Sequence, residues 1–155
     1  AETTAREIWE DTDGEVRLVV APVGTGGTAA GCVAYFTGLG VAVAGVQPAQ
    51  SAVLTGGSPG HHGIPGLGAG FVPDILVPSE LAAIVDVDDD DAMAGVADLA
   101  SLENLLLGPA SGAVLRAAQL LAQQPRWAGA LIVAILPDSG ERYRDQPGLF
   151  GEGTA

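Results

Sequence analysis

The sequence predicts an α/β fold in which a mostly parallel, twisted sheet is flanked by helices. Three observations lead there. Four short runs rich in Val and Ile do not alternate with polar residues, as strands do when both faces of a parallel sheet are covered. Helix-period patterns lie between the runs. Hydrophobic residues make up 48% of the chain but aromatics only 5%, so the core is built from Ala, Val, Leu and Ile against Gly, which suits helices lying closely on a sheet. A chain of 155 residues has the length of a single domain, and at that size folding buries roughly two thirds of the unfolded surface.

The elements follow in order. The first strand is expected over Arg17 to Ala21, followed by the turn Gly24-Thr25-Gly26-Gly27-Thr28 and a helix that begins within it. Cys32, in the apolar helical stretch "AAGCVAYF", reads as a small core residue. A second strand covers Val41 to Val46. The segment from Ser51 to Ser79 is dense in Gly and Pro and fits neither period, which marks a long loop; its Val53, Leu54, Ile64, Leu67, Phe71, Val72, Ile75 and Leu76 argue against disorder. A third strand, Ala83 to Val87, runs into "DVDDDDA" and a helix with Met93, Val96, Leu99 and Ala100 on one face. Asp88 is placed to cap that helix, and Asp89 to Asp91 complement its dipole, a reading preferred to a cation site. After "GPASG" a further helix carries Val114, Leu115, Ala118, Leu121 and Ala122 on one face, and the fourth strand is Leu131 to Leu136. Strands alternating with helices imply right-handed crossovers. Trp9, Tyr35 and Trp127 read as packing residues, and His61-His62, without a third ligand, does not make a zinc site.

Charge excludes several function classes. The net charge is -13, and all six bases are arginines: Arg6, Arg17, Arg116, Arg126, Arg142 and Arg144. No basic face can be assembled from them to displace counterions from nucleic acid, or to hold an anionic membrane surface. The longest apolar segment, "AGALIVAIL", is too short to span a bilayer, and no basic region followed by an apolar stretch opens the chain. Cys32 is the only cysteine, so no internal disulfide forms; the expected setting is soluble and cytoplasmic.

The stretch "APVGTGGTAAG" carries the chemistry. Glycines after a strand let backbone N–H groups converge, the helix N-terminus adds partial positive charge, and Thr25 and Thr28 add hydroxyls, a combination that suits a phosphate. A nucleotide P-loop requires a lysine, and the chain has none. A dinucleotide pattern can be laid on Gly24, Gly26 and Ala29, but it needs an acid at the end of the next strand, where Gln47 stands; it remains a minor alternative.

"GTGGT" after a strand, then "GVQPAQSAVLTGGSPGHHGIPGLGAGFVP", "GPASGAVLRAAQLLAQ" and "LIVAILPDSGERYRD" occur in the order and spacing of the C-terminal half of cysteine synthase (O-acetylserine sulfhydrylase). The chain resembles that family, and its relative cystathionine β-synthase, within the fold-type II (tryptophan synthase β-like) pyridoxal-phosphate enzymes. The opening "ETTAREIWEDTDG" resembles the segment leading into that half. The resemblance implies that Gly24, Thr25, Gly26, Gly27 and Thr28 cradle the phosphate of pyridoxal 5'-phosphate. It implies that "GLGAGF", with Gly66, Gly68, Ala69 and Gly70, approaches cofactor and substrate from the opposite side. The family activity is β-replacement, O-acetylserine plus sulfide giving cysteine plus acetate.

Departures from the family pattern limit what is carried over. The Ser that meets the pyridine nitrogen is replaced by Ala110 in "GPASG", so either Ser111 stands in or the nitrogen has lost its partner. The family's "VEP" is "VQP" at Gln47, and the Tyr35 to Val41 connection is short. The Schiff-base lysine, the Asn at the ring oxygen and the Ser/Thr loop for the substrate carboxylate belong to an N-terminal half that these residues do not include. The N-terminal amine of Ala1 is only a formal substitute. No catalytic residue and no metal ligand is assigned, and Glu141 and Arg142 of "SGERYRD" read as structural or interface groups. The expectation is a cofactor-phosphate-binding half, inactive alone, that exposes apolar surface and meets a complementary N-terminal half or a second copy. A non-catalytic binding module on the same fold is the competing expectation.

Overall fold

The computed structural model describes residues 2–143. Four helices, α1 (Glu2–Asp11), α2 (Gly27–Phe36), α3 (Asp89–Leu102) and α4 (Pro109–Ala122), surround four strands, β1 (Val16–Pro22), β2 (Ala42–Pro48), β3 (Ala83–Val87) and β4 (Leu131–Ala134). All pairings are parallel, and the strand order is β3-β2-β1-β4. The four predicted strands are therefore present with ends shifted by at most two residues. Ser51 to Ser79 is irregular apart from isolated 3-10 turns, and it burdens the β2-to-β3 crossover with no long helix.

Two cores lie on the two faces of the sheet. On one, Val19, Ala21, Val23 and Val43 pack with Ala5 of α1 and Ala29, Cys32 and Phe36 of α2. On the other, Leu18, Val20, Ala44, Val46 and Val87 pack with Ala110, Ala113, Val114, Ala117 and Leu121 of α4. From Leu18 to Ala21 successive β1 residues thus alternate between cores and none is polar, which is the reason for an unbroken apolar run there, while Arg17 at the strand's start is exposed. The order β3-β2-β1-β4 leaves β3 and β4 at the edges, and most of their residues are only half-buried, in contrast to the full burial expected from composition.

Two further points correct the expected pattern. The buried face of α4 is rotated toward Ala110, Ala113 and Ala117, while Leu115 and Ala118 are half-buried and Ala122 is exposed. The cause is α3, which packs on α4 at Gly95 and Gly112: a β-carbon on Gly112 would fall inside the Ala92 carbonyl oxygen and 2.8 Å from Val96 N. Asp88 caps α3, as expected, by accepting from Asp91 N at 2.8 Å. α1 is an element that periodicity did not mark. Its Trp9 packs near Phe36, with ring centroids 6.4 Å apart, and Tyr35 meets Phe36 edge-on at 5.3 Å. Trp127 stacks with Arg126 at 5.2 Å.

Gly112→Ala is expected to lower unfolding free energy by about 3 kcal/mol or more, at the upper end of overpacking costs, because backbone rather than a flexible side chain occupies the space; urea denaturation measures it. Burial pushes the Cys32 thiol up from 9.0 to about 11. The folded chain therefore holds that proton more tightly than the unfolded chain, and the resulting stability is complete below about pH 9 and lost as pH rises through about 11. The pH 9 to 11 decline in melting temperature should be visibly smaller in Cys32→Ala, and the thiol should react with a maleimide only on unfolding.

Candidate functional site

The site lies beyond the C-terminal ends of β1 and β4, where the sheet order turns from β2 on one side of β1 to β4 on the other; open parallel sheets bind ligands at such a switch point. A cavity of about 580 Å³ opens there, within the usual range for small-molecule sites. Its wall is made by Pro22, Gly24, Thr25, Gly26, Gly27 and Thr28 after β1, by Pro137, Asp138 and Tyr143 after β4, and by Thr4, Pro65, Gly66 and Ala110.

Local backbone chemistry explains the β1-to-α2 side. Gly26, the residue before α2, sits at φ 82°, a left-handed conformation that a side chain disfavours. A β-carbon there would also press on Pro73 and Leu76. Gly24 is needed for a different reason: a β-carbon on it would overlap the Gly66 carbonyl oxygen. The first helical bond of α2 is Ala30 N to Gly26 O at 2.9 Å, and Val23 O is already taken by Gly68 N at 3.0 Å. The amides of Gly27, Thr28 and Ala29 therefore lack helical acceptors. No acidic side chain lies in the first turn and no side chain caps it. The result is a positive helix end with uncapped N–H donors at the cavity wall, an arrangement of the kind that suits an anion. A β-carbon on Gly27 would meet nothing within 4 Å, so the space against these donors is open.

The wall at the start of α4 is organised by Asp138. Its backbone carbonyl accepts from Gly108 N at 3.3 Å, while Gly140 N donates to Leu106 O at 2.9 Å, which lays the segment after β4 beside the start of α4. The Asp138 carboxylate then accepts from Ala110 N at 3.1 Å, from Ser111 N at 2.8 Å and from the Ser111 hydroxyl. A carboxylate on two amides at a helix N-terminus is a cap favoured by hydrogen bonding and dipole together.

A family model described as pyridoxal-phosphate dependent enzyme matches residues 1–138. The chain belongs to the pyridoxal-phosphate dependent enzyme family. Among curated relatives, the cysteine synthase of Haemophilus influenzae is 42% identical over 151 residues, which span 92% of this chain and 48% of that protein. Among solved structures, cysteine synthase from Entamoeba histolytica superposes with a TM-score of 0.91 at 38% identity, covering 99% of this chain and 46% of that one. O-acetylserine sulfhydrylase isoform 3 from the same organism gives 0.91 at 41%, covering 99% and 47%. The chain spans about half the length of the curated relatives it matches. Cysteine synthases and the pyridoxal-phosphate dependent family to which they belong use that cofactor.

In this member of the family, the five residues Gly24 to Thr28 all line the cavity, and Gly66 lines it from across the loop. Gly68, Ala69 and Gly70 do not: Gly68 and Ala69 border a small separate cleft with Gln47, Leu54 and Phe71. Gly68 is instead where the loop hydrogen-bonds back to Val23 O, and Ile64 N donates to His62 Nδ1 at 3.3 Å beside it. Ser111 is fully buried and absent from the wall, since the next position along a helix turns away by roughly 100° and its hydroxyl is engaged by Asp138. Ala110 faces the cavity in its place, with only a methyl group. Among the described residues no group of three or more His, Cys, Asp or Glu side chains stands together to hold a metal ion, and no helix is long and apolar enough to cross a membrane. Ala1 and Arg144 lie outside the described residues, as does the rest of the "SGERYRD" signature beyond Tyr143.

Gln47, where a dinucleotide site would carry an acid, is a buried brace. Its Oε1 accepts from Leu54 N at 2.9 Å, and its Nε2 donates to Asp86 Oδ1 at 2.8 Å and Thr55 Oγ1 at 3.1 Å. The side chain thus ties β2 to β3 and to the start of the long loop. Gln47→Leu would strand the buried Leu54 amide and should cost about 1–3 kcal/mol in urea denaturation, with earlier proteolysis of the loop.

Proposed function

We propose that the chain is the cofactor-phosphate-binding half of a pyridoxal-phosphate dependent β-replacement enzyme of the cysteine synthase type, acting on O-acetylserine and sulfide in the cytoplasm. The observation that carries this reading is the open space at Gly27, where a β-carbon would meet nothing within 4 Å, against three uncapped amides. Gly24 to Thr28 hold the phosphate, with Thr25 and Thr28 adding hydroxyl donors. Pro22 and Pro65 give apolar wall, and Asp138 lies on the α4 side. When bound, the cofactor supplies an electron sink for negative charge at the substrate α-carbon. None of the 155 residues is a lysine, so this chain offers no side-chain amine for covalent attachment, and it binds the cofactor non-covalently at most.

The chemistry then requires a complementary half. Phe71, Val72, Ile75 and Val77 on the long loop are exposed, as are Leu102 at the end of α3 and Leu106 after it, and this apolar surface supports a covering partner, either that half or a second copy. The lysine count also favours a second reading, a non-catalytic module that retains the ligand site alone. Mixing the chain with a separately produced N-terminal half of a cysteine synthase separates the two: sulfide-dependent cysteine formation supports the first, and association without turnover supports the second.

Equilibrium dialysis tests the cradle itself. Pyridoxal phosphate should bind at least about tenfold more tightly than pyridoxal, consistent with charge-assisted bonds of about 1.5–3 kcal/mol. Gly27→Val should abolish that preference while leaving the melting temperature nearly unchanged, because a β-carbon there meets no protein atom within 4 Å.

A further inference from the structure

We propose that Asp138 is the partner of the ring nitrogen of the bound cofactor, holding that nitrogen in its protonated, cationic form. The inference rests on the cofactor reading above and concerns the cavity wall at the start of α4. Ala110 supplies no hydrogen-bonding group there, and the buried Ser111 hydroxyl is turned to Asp138. What the same wall does present is the Asp138 carboxylate.

The two carboxylate oxygens are not equally occupied. Among the described residues, Oδ1 accepts from both Ser111 N and the Ser111 hydroxyl, whereas Oδ2 accepts from Ala110 N at 3.1 Å. An ionised carboxylate has about four lone-pair sites, so Oδ2 retains capacity for one further donor. Ser111 and the two α4 amides fix its direction, so the oxygen is pre-positioned rather than mobile. The described side chains of the cavity wall include no Lys, Arg or His, so none of them brings a competing positive charge to it.

The cavity is therefore bipolar. The uncapped N-terminus of α2 favours an anion where Gly24 to Thr28 line the cavity, and the Asp138 carboxylate favours a cationic donor where it lines it. Pyridoxal phosphate with a protonated ring has that charge order, phosphate dianion then pyridinium N–H. On binding, the ring nitrogen takes a proton from a solvent hydronium, an O–H bond giving way to the new N–H, and donates that N–H to Oδ2; no covalent bond forms between protein and cofactor. A charged partner in place of a neutral hydroxyl makes the ring a stronger electron acceptor, so Asp138 would set how far negative charge is drawn off the substrate.

The test uses pyridoxal phosphate labelled with ¹⁵N at the ring and bound to the chain, at a pH where the free cofactor's ring is neutral. The expected ¹⁵N resonance lies at the protonated position in the parent chain and returns to the neutral position in Asp138→Asn. Asp138→Ser, which keeps an uncharged cap for the α4 amides, should do the same and serves where the Asn variant does not fold. A neutral ring in the parent, or a ring equally protonated in the folded variants, overturns the proposal. Absence of any cofactor binding by the parent, shown by dialysis, overturns the cofactor reading itself and this assignment with it.

Discussion

The whole site depends on backbone left uncovered between β1 and α2. Burying helix-end amides without a partner is unfavourable, and most helices avoid it with a side-chain cap. Here the cap position is a left-handed glycine, the first turn holds no acid, and the carbonyl that could have reached Gly27 is taken by Gly68. The donors are thereby held ready by the fold and left for a ligand. The close approach of Gly66 to Gly24 ties this turn to the long loop, so the loop's irregular path follows from the geometry of the cradle.

The second half of the site has the opposite construction. At α4 the helix end is capped, and the cap is a carboxylate delivered from the segment after the edge strand β4. One helix end thus presents bare positive potential and the other presents a fixed negative group, both opening on one cavity. The parallel order β3-β2-β1-β4 makes this convergence possible, since β1 and β4 are neighbours and both end at the cavity.

What was legible in the sequence was local. The apolar run Arg17 to Ala21 followed by Gly24 to Thr28 specifies a strand, a turn and a helix start within a dozen residues, and no distant contact is needed to read it. The four strands were legible for the same reason, although the half-burial of β3 and β4 was not, because it depends on which strands end at the sheet edges. The face of α4 was misread because Gly95 and Gly112 carry no hydrophobic signal, yet they decide where α3 lies. Ser111 and Asp138 are 27 residues apart, and nothing in the periodicity of either segment joins them. The signal that could have found Asp138 was its place directly after a parallel strand, where such sheets gather their ligand groups.

The central claim is that the α2 N-terminus holds a phosphate dianion. Phosphorus NMR of pyridoxal phosphate bound to the chain tests it directly, because the dianion of a free phosphate monoester takes up a proton at about pH 6. A cradle of fixed donors keeps the dianion favoured, so the bound ³¹P resonance should stay at the dianion position as pH falls through that range. A bound resonance that titrates like the free cofactor would place the phosphate in solvent and contradict the account.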